Sequence, residues 1–183
     1  ILDRFTASLC EAVTGQSQAQ ATLTYLMEVN LFLIPLYQHQ EWYRYHTLFA
    51  DLLRKRLVTF HSARVAALHC RAARWYRDNG FYVQAIDHAL AGRDFEQAAA
   101  LIEAMAEGCL ARGETVTLLR WVEALPSAAK DARPRLWVFH SLALLLYGKP
   151  DAPARDAVER LSETAAVSSV QGELALLQAL RAV

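Results

Sequence analysis

This sequence has no charge excess: 19 lysines and arginines face 19 aspartates and glutamates. A domain that lives on DNA or on an anionic membrane usually carries a basic surplus to answer the phosphates, so any such contact here must come from a local patch. Cysteine pairs are missing too. Cys10, Cys70 and Cys109 lie far apart with no CxxC, which argues against a disulfide framework and reads as reduced thiols in a cytoplasmic setting. A membrane helix needs roughly twenty apolar residues. The most apolar run, LWVFHSLALLLYG (136–148), is shorter and carries His140 and Ser141. It reads as a helix buried on most sides, and no membrane partner is expected.

Motifs that carry chemistry are also absent. The GK pair Gly148-Lys149 runs into Pro150 and has no phosphate-cradling glycine before it. There is no HExxH, no GxSxG and no strand–GxGxxG–helix. His61 and His69 are eight apart, and no cysteine or carboxylate completes a metal set around them. Glu103, Glu107, Glu159 and Glu163 read as solvated i,i+4 partners of nearby arginines. The expectation is a segment without catalytic residues, metal or cofactor of its own.

Apolar material is plentiful. Hydrophobic residues make up 54% of 183 and charged residues 21%, enough for a core and unlike a disordered chain. Leu2, Phe5, Leu9 and Val13 recur at helical spacing, and Leu23, Leu26 and Met27 mark a second helix ending near Asn30. LFLIPL and EWYRYH, set around the polar QHQ, predict a β-hairpin over about 31–46. Pro35 belongs at an edge of it, because proline cannot donate to a ladder. Trp42, Arg44 and His46 alternate with Tyr43 and Tyr45. Leu48, Phe49, Leu52, Leu53 and Leu57 then form the core face of a third helix that Thr47 can cap. These elements predict a winged-helix-like unit over 1–60, with HSAR as the break after it.

Beyond residue 61 the pattern is wholly helical. Val65, Leu68, Ala72, Trp75 and Tyr76 predict one helix, stopped at Gly80. Ala85, Ile86, Ala89 and Leu90 predict the next, ended by Gly92. Asp94 with Gln97 forms a capping box for a third, and Leu118, Leu119 and Val122 mark a fourth after Gly113. Pro134 suits the first turn of a helix running to Gly148. Two more follow, around Val158 and Leu161 and around Leu174, Leu177 and Leu180. The glycine spacings 80–113 and 113–148 are close to 34, the period of tetratricopeptide-type helix pairs. The expected fold is mainly α: a winged-helix-like unit followed, over 61–183, by TPR-like antiparallel helix pairs that begin an α-superhelix.

Two constellations stand out as contact candidates. Arg64, Arg71, Arg74 and Arg77 line one helix and read as a basic strip opposite Leu68 and Trp75, suited to a phosphate, an acidic peptide or a neighbouring domain. Trp75, Tyr82 and Trp121 are candidate groove residues for an effector or partner. The basic run Arg54-Lys55-Arg56 is set off from the hairpin aromatics by leucines, so it reads as scaffold rather than as a nucleic-acid reader.

WYRYHTLFADLLRKRL, LHCRAARWYRDNGFYVQAIDHALAGRDFEQAAALIE, LLRWVEALP and RPRLWVFHSLALLLYGK, in this order, resemble the central part of MalT-like, ATP-dependent transcriptional regulators of the LuxR family, which belong to the STAND class. A serine/threonine kinase lineage carries a similar middle region. The resemblance implies a parent with an ATPase module before Ile1 and a DNA-binding helix-turn-helix far beyond Val183. It implies ATP as the parent's cofactor, with DNA contacted only through that absent module. The chain opens at Ile1 and closes in LLQALRAV inside amphipathic patterns, which fits a piece of a longer protein. Expected partners are the adjacent ATPase module and a small-molecule inducer or regulatory protein. The alternatives are a protein-binding repeat scaffold with another output, such as a kinase, or a winged-helix DNA binder in its own right.

Overall fold

The computed structural model describes residues 1–37 and 41–147. They fall into two compact units, the first spanning Ile1–Arg93 and the second beginning at Asp94. Gly148, Glu159 and Glu163, and the expected helices around Val158 and Leu161 and around Leu174, Leu177 and Leu180, lie outside the described residues. No described helix is long and apolar enough to cross a membrane.

The first unit contains α1 (Ala7–Thr14), α2 (Ala19–Glu28), β1 (Leu33–Tyr37), β2 (Glu41–Tyr45), α3 (Thr47–Asp78) and α4 (Tyr82–Ala91). The Thr6 hydroxyl caps α1 by accepting from the Leu9 amide at 3.1 Å, and Gly15 ends it at φ +74°. Leu9 and Val13 are buried, as their spacing predicts. Phe5 is not part of that helix. Its amide donates to the Tyr43 carbonyl at 2.9 Å and its carbonyl accepts from the Tyr43 amide at 2.8 Å.

That bridge explains Pro35. Both backbone groups of Tyr43 point to Phe5, so its pairing with Pro35 across the hairpin is a non-hydrogen-bonded one. The ring nitrogen of Pro35 faces away from β2, on the outer edge, where a missing donor costs nothing. The hairpin therefore forms with proline in mid-strand.

Helix α3 differs from expectation at both ends of its first half. Thr47 is its first residue rather than its cap; His46 holds the cap position without a side-chain bond. HSAR is helical, with one kinked residue, His61, at φ −139° and ψ 30°. Alanines at 63, 66 and 67 and the absence of glycine or proline let the helix propagate through the expected break. Only part of the expected leucine face is inward. Phe49 and Leu57 are half-buried, whereas Leu48 and Leu52 point to solvent.

The helix pairs repeat at 33 residues. At the end of α3, the Phe81 amide donates to the Tyr76 carbonyl and the Gly80 amide to that of Arg77. At the end of α5 (Phe95–Ala111), Glu114 donates to Cys109 and Gly113 to Leu110. Gly80 and Gly113 sit at φ +81° and +73°, the left-handed turn that a side chain disfavours. The helices that follow, α4 and α6 (Thr115–Glu123), bury matching positions: Ala85, Ile86 and Ala89 in one, Leu118, Leu119 and Val122 in the other. Gly92 ends α4 for a different reason. Its φ is ordinary, but a Cβ there would meet Cys70 Sγ at 2.7 Å and Cys70 N at 3.0 Å.

The second unit contains α5, α6, the short α7 (Ser127–Asp131) and α8 (Arg135–Leu146). Asp94 caps α5 by accepting from the Gln97 amide at 3.2 Å. Pro134 stands at the start of α8, and the helix stops at Leu146, before the expected Gly148. An unbroken run from Leu136 to Ser141 is buried, the behaviour of a helix that is apolar all round. Glu103 and Glu107 do not pair along their own helix. They bind Arg133 and Arg135, each at 2.8 Å, and tie α5 to the start of α8.

Candidate functional site

A chemically mixed cleft of about 820 Å³ lies in the first unit beside the β1–β2 hairpin, the wing. Trp42 from β2, Tyr76 from α3 and Phe81 from the α3–α4 turn give it an aromatic wall. Asp3 and Arg4 enter from the N-terminal segment, and Gln84, Asp87 and His88 from α4. Alternation along β2 turns Trp42 to the face opposite Tyr43. There its ring meets Trp75 at 6.3 Å and Phe81 at 5.5 Å, edge to face in both cases. Trp75 and Phe81 lie parallel, 6.1 Å apart. The Tyr76 hydroxyl donates to the Arg4 carbonyl at 3.3 Å, and burial raises its pKa to about 12, so it stays a neutral donor.

Behind Tyr76, His69 of α3 and His88 of α4 bring their Nδ1 atoms to 2.9 Å. One ring must donate and the other accept, so at least the accepting ring is neutral when the pair is bonded. Burial lowers both pKa values; that of His88 falls to about 4, with the His69 charge as the next cause. The two histidines are nineteen positions apart, and single-helix spacing gives no hint of the pair. The signal that could have found it is the helix-pair register, which sets the start of α4 against the last turns of α3.

A second, apolar cleft of about 410 Å³ lies between α1, α2 and the first half of α3, lined by Leu2, Val13, Leu23, Leu26, Leu53 and Leu57 among others. Cys10 lines it as well, and burial pushes that thiol up to about 11, away from reactivity.

The residues expected to make contacts are distributed as follows. Arg64 and Arg74 are exposed and form no ion pair among the described residues. Arg71 donates to the Val13 carbonyl at 3.2 Å and closes the end of α1. Arg77 pairs with Asp78 at 2.8 Å. The strip does not lie opposite Trp75. Arg71 and Trp75 are one helical turn apart and share a face, and the core side of α3 is Ala72, Ala73 and Tyr76. Trp75 belongs to the aromatic cluster, and Tyr82 is exposed at the first turn of α4. Trp121 is 0% exposed; it is core of the second unit and has no surface to offer a partner.

Among the described residues no group of three or more metal-ligating side chains forms. Residues 1–65 match the family described as MalT winged helix domain. Over 165 residues, 90% of the chain, the sequence is 36% identical to Serine/threonine-protein kinase PknK of Mycobacterium tuberculosis, in strains CDC 1551 / Oshkosh and ATCC 25618 / H37Rv, and of Mycobacterium bovis. The chain spans 15% of the length of these relatives.

Proposed function

We propose that this chain is a non-catalytic coupling segment of a larger regulatory protein. In this reading, binding of an effector or protein partner shifts the packing of the segment and so changes what other modules of the parent do. The observation that carries it is the seat of Trp42 against Trp75 and Phe81. It fastens the wing to the first helix pair, and α3 serves both, so a load on one is felt by the other. Coupling of this kind needs a ligand with different affinity for two packings, and the wing-side cleft is where such a ligand touches both parts. Of the contact residues expected from the sequence, Arg64, Arg74 and Tyr82 are exposed.

The match of 1–65 to the MalT winged helix domain and the ordered motifs that resemble LuxR-family regulators support a transcriptional parent of the STAND class. ATP binding and DNA reading then belong to other modules. The kinase names of the relatives support a second reading, in which the parent's output is phosphorylation. One experiment serves both. Trp42→Ala and Phe81→Ala are placed in the full-length parent, and promoter activation and autophosphorylation are followed with and without inducing conditions. Loss of the inducible change in either output supports coupling and identifies the output. Wild-type induction in both variants contradicts it.

A further inference from the structure

The first half of α3 carries a surface that core packing does not explain. Leu48, Leu52, Arg56 and Phe60 follow one another at i, i+4 and so form a single ridge. Their apolar members are far out of the core: Leu48 is 76% exposed, Leu52 54% and Phe60 67%. The Arg56 guanidinium lies over the Phe60 ring at 5.9 Å, and the kink at His61 ends the ridge. Lys55 stands alongside. Neither Lys55 nor Arg56 forms an ion pair among the described residues, because the nearby carboxylates of Asp51 and Asp3 go to Arg54 at 2.9 and 2.6 Å.

A second observation concerns the start of α3, where the ridge begins. Phe32, whose ring meets that of Phe49 at 5.1 Å, is 60% exposed and sits at φ +54°. Bulky residues rarely adopt a left-handed backbone, and strain of this kind is kept where it presents a side chain. Here it holds an aromatic ring outward against Phe49, the residue that follows Leu48 in α3.

We propose that this ridge, with Phe32 at its start, is a docking surface for an acidic amphipathic helix of a protein partner. An i, i+4 ridge fits the groove of a second helix, and its unanswered cations ask for carboxylates at the margin of that helix. Branched aliphatic side chains at Leu48 and Leu52 do not stack on bases. Two free cations in three turns on a neutral chain are few for an anionic membrane or a duplex. The proposal rests on the reading of the chain as a partner-binding segment. Its failure would leave the wing–helix coupling untouched, since the test below reads binding alone.

The test is fluorescence anisotropy with the purified 183-residue chain. The probes are two synthetic amphipathic helices with the same leucine face, one flanked by glutamates and one by lysines, and, as controls, phosphatidylserine vesicles and a DNA duplex. The glutamate peptide is expected to bind and the lysine peptide not. Leu52→Ser, which alters an exposed residue, should weaken binding about tenfold without changing Tm. Lys55→Glu with Arg56→Glu should abolish binding of the glutamate peptide and confer it on the lysine peptide. Equal binding of the two peptides, binding of neither, or binding of vesicles or duplex in place of the glutamate peptide would overturn the proposal.

Discussion

The indole of Trp42 meets the ring of Phe81 edge to face with centroids 5.5 Å apart, so a residue on the wing and a residue in the turn between two helices hold each other. Trp42→Ala should therefore cost the first unit about 2–3 kcal/mol, the value of a half-buried aromatic and its ring pairs. Urea unfolding measures this. A double-mutant cycle with Phe81→Ala should give a coupling of about 0.5–1.5 kcal/mol, and strict additivity would show that the two rings do not interact.

Acid should destabilise the fold. His88 and His140 each have a folded pKa of about 4, below the ordinary 6.5, with burial as the first cause, and His69 is also lowered. Above pH 6.5 both folded and unfolded chains leave these rings neutral. Between 6.5 and about 4 the unfolded chain binds more protons, so stability is lost as pH falls, by up to about 1.4 kcal/mol per pH unit for each ring. Unfolding midpoints at pH 7 and pH 5 check the slope. Among the described residues neither buried ring nitrogen of His140 has a hydrogen-bond partner, so His140→Leu should flatten the slope and gain stability at pH 5.

Gly92 and Gly113 should fail differently when replaced by alanine. At Gly113 the cost is the left-handed backbone, about 1 kcal/mol. At Gly92 the new methyl collides with Cys70, both its Sγ and its backbone nitrogen, and overpacking of that kind costs about 1–3 kcal/mol. Adding Cys70→Ala should recover only part of the loss, because the backbone contact remains. Full recovery would mean that the thiol alone sets the spacing.

Periodicity and turn chemistry made the fold legible where one local rule acts alone. Gly80, Gly113, Asp94 and Pro35 all stand where their backbone chemistry requires. What was illegible depends on distance in sequence. Phe5 has helical spacing to Leu9, but Tyr43 takes its backbone into a bridge. Leu48 and Leu52 look like core in the pattern, yet α1 and α2 reach only the neighbouring face of α3, where Leu53 and Leu57 line the cleft. Glu103 and Glu107 find arginines about thirty positions away rather than four. At the site, Trp75 and Phe81 were visible as aromatics near a turn. Trp42 joined them only through the hairpin's alternation, and the His69–His88 pair only through helix packing. Trp121 shows the limit of composition, because a large aromatic looks the same to a pattern whether it floors a groove or fills a core.

The central claim is that wing and first helix pair act as one mechanical unit, and native-state hydrogen exchange tests it most directly. The amides of Leu9, Tyr43, Ile86 and Ala89 should open with one shared free energy, and Trp42→Ala should lower all four together. If Ile86 and Ala89 keep their protection while the Leu9 and Tyr43 amides exchange freely, the two parts move independently and the coupling account is wrong.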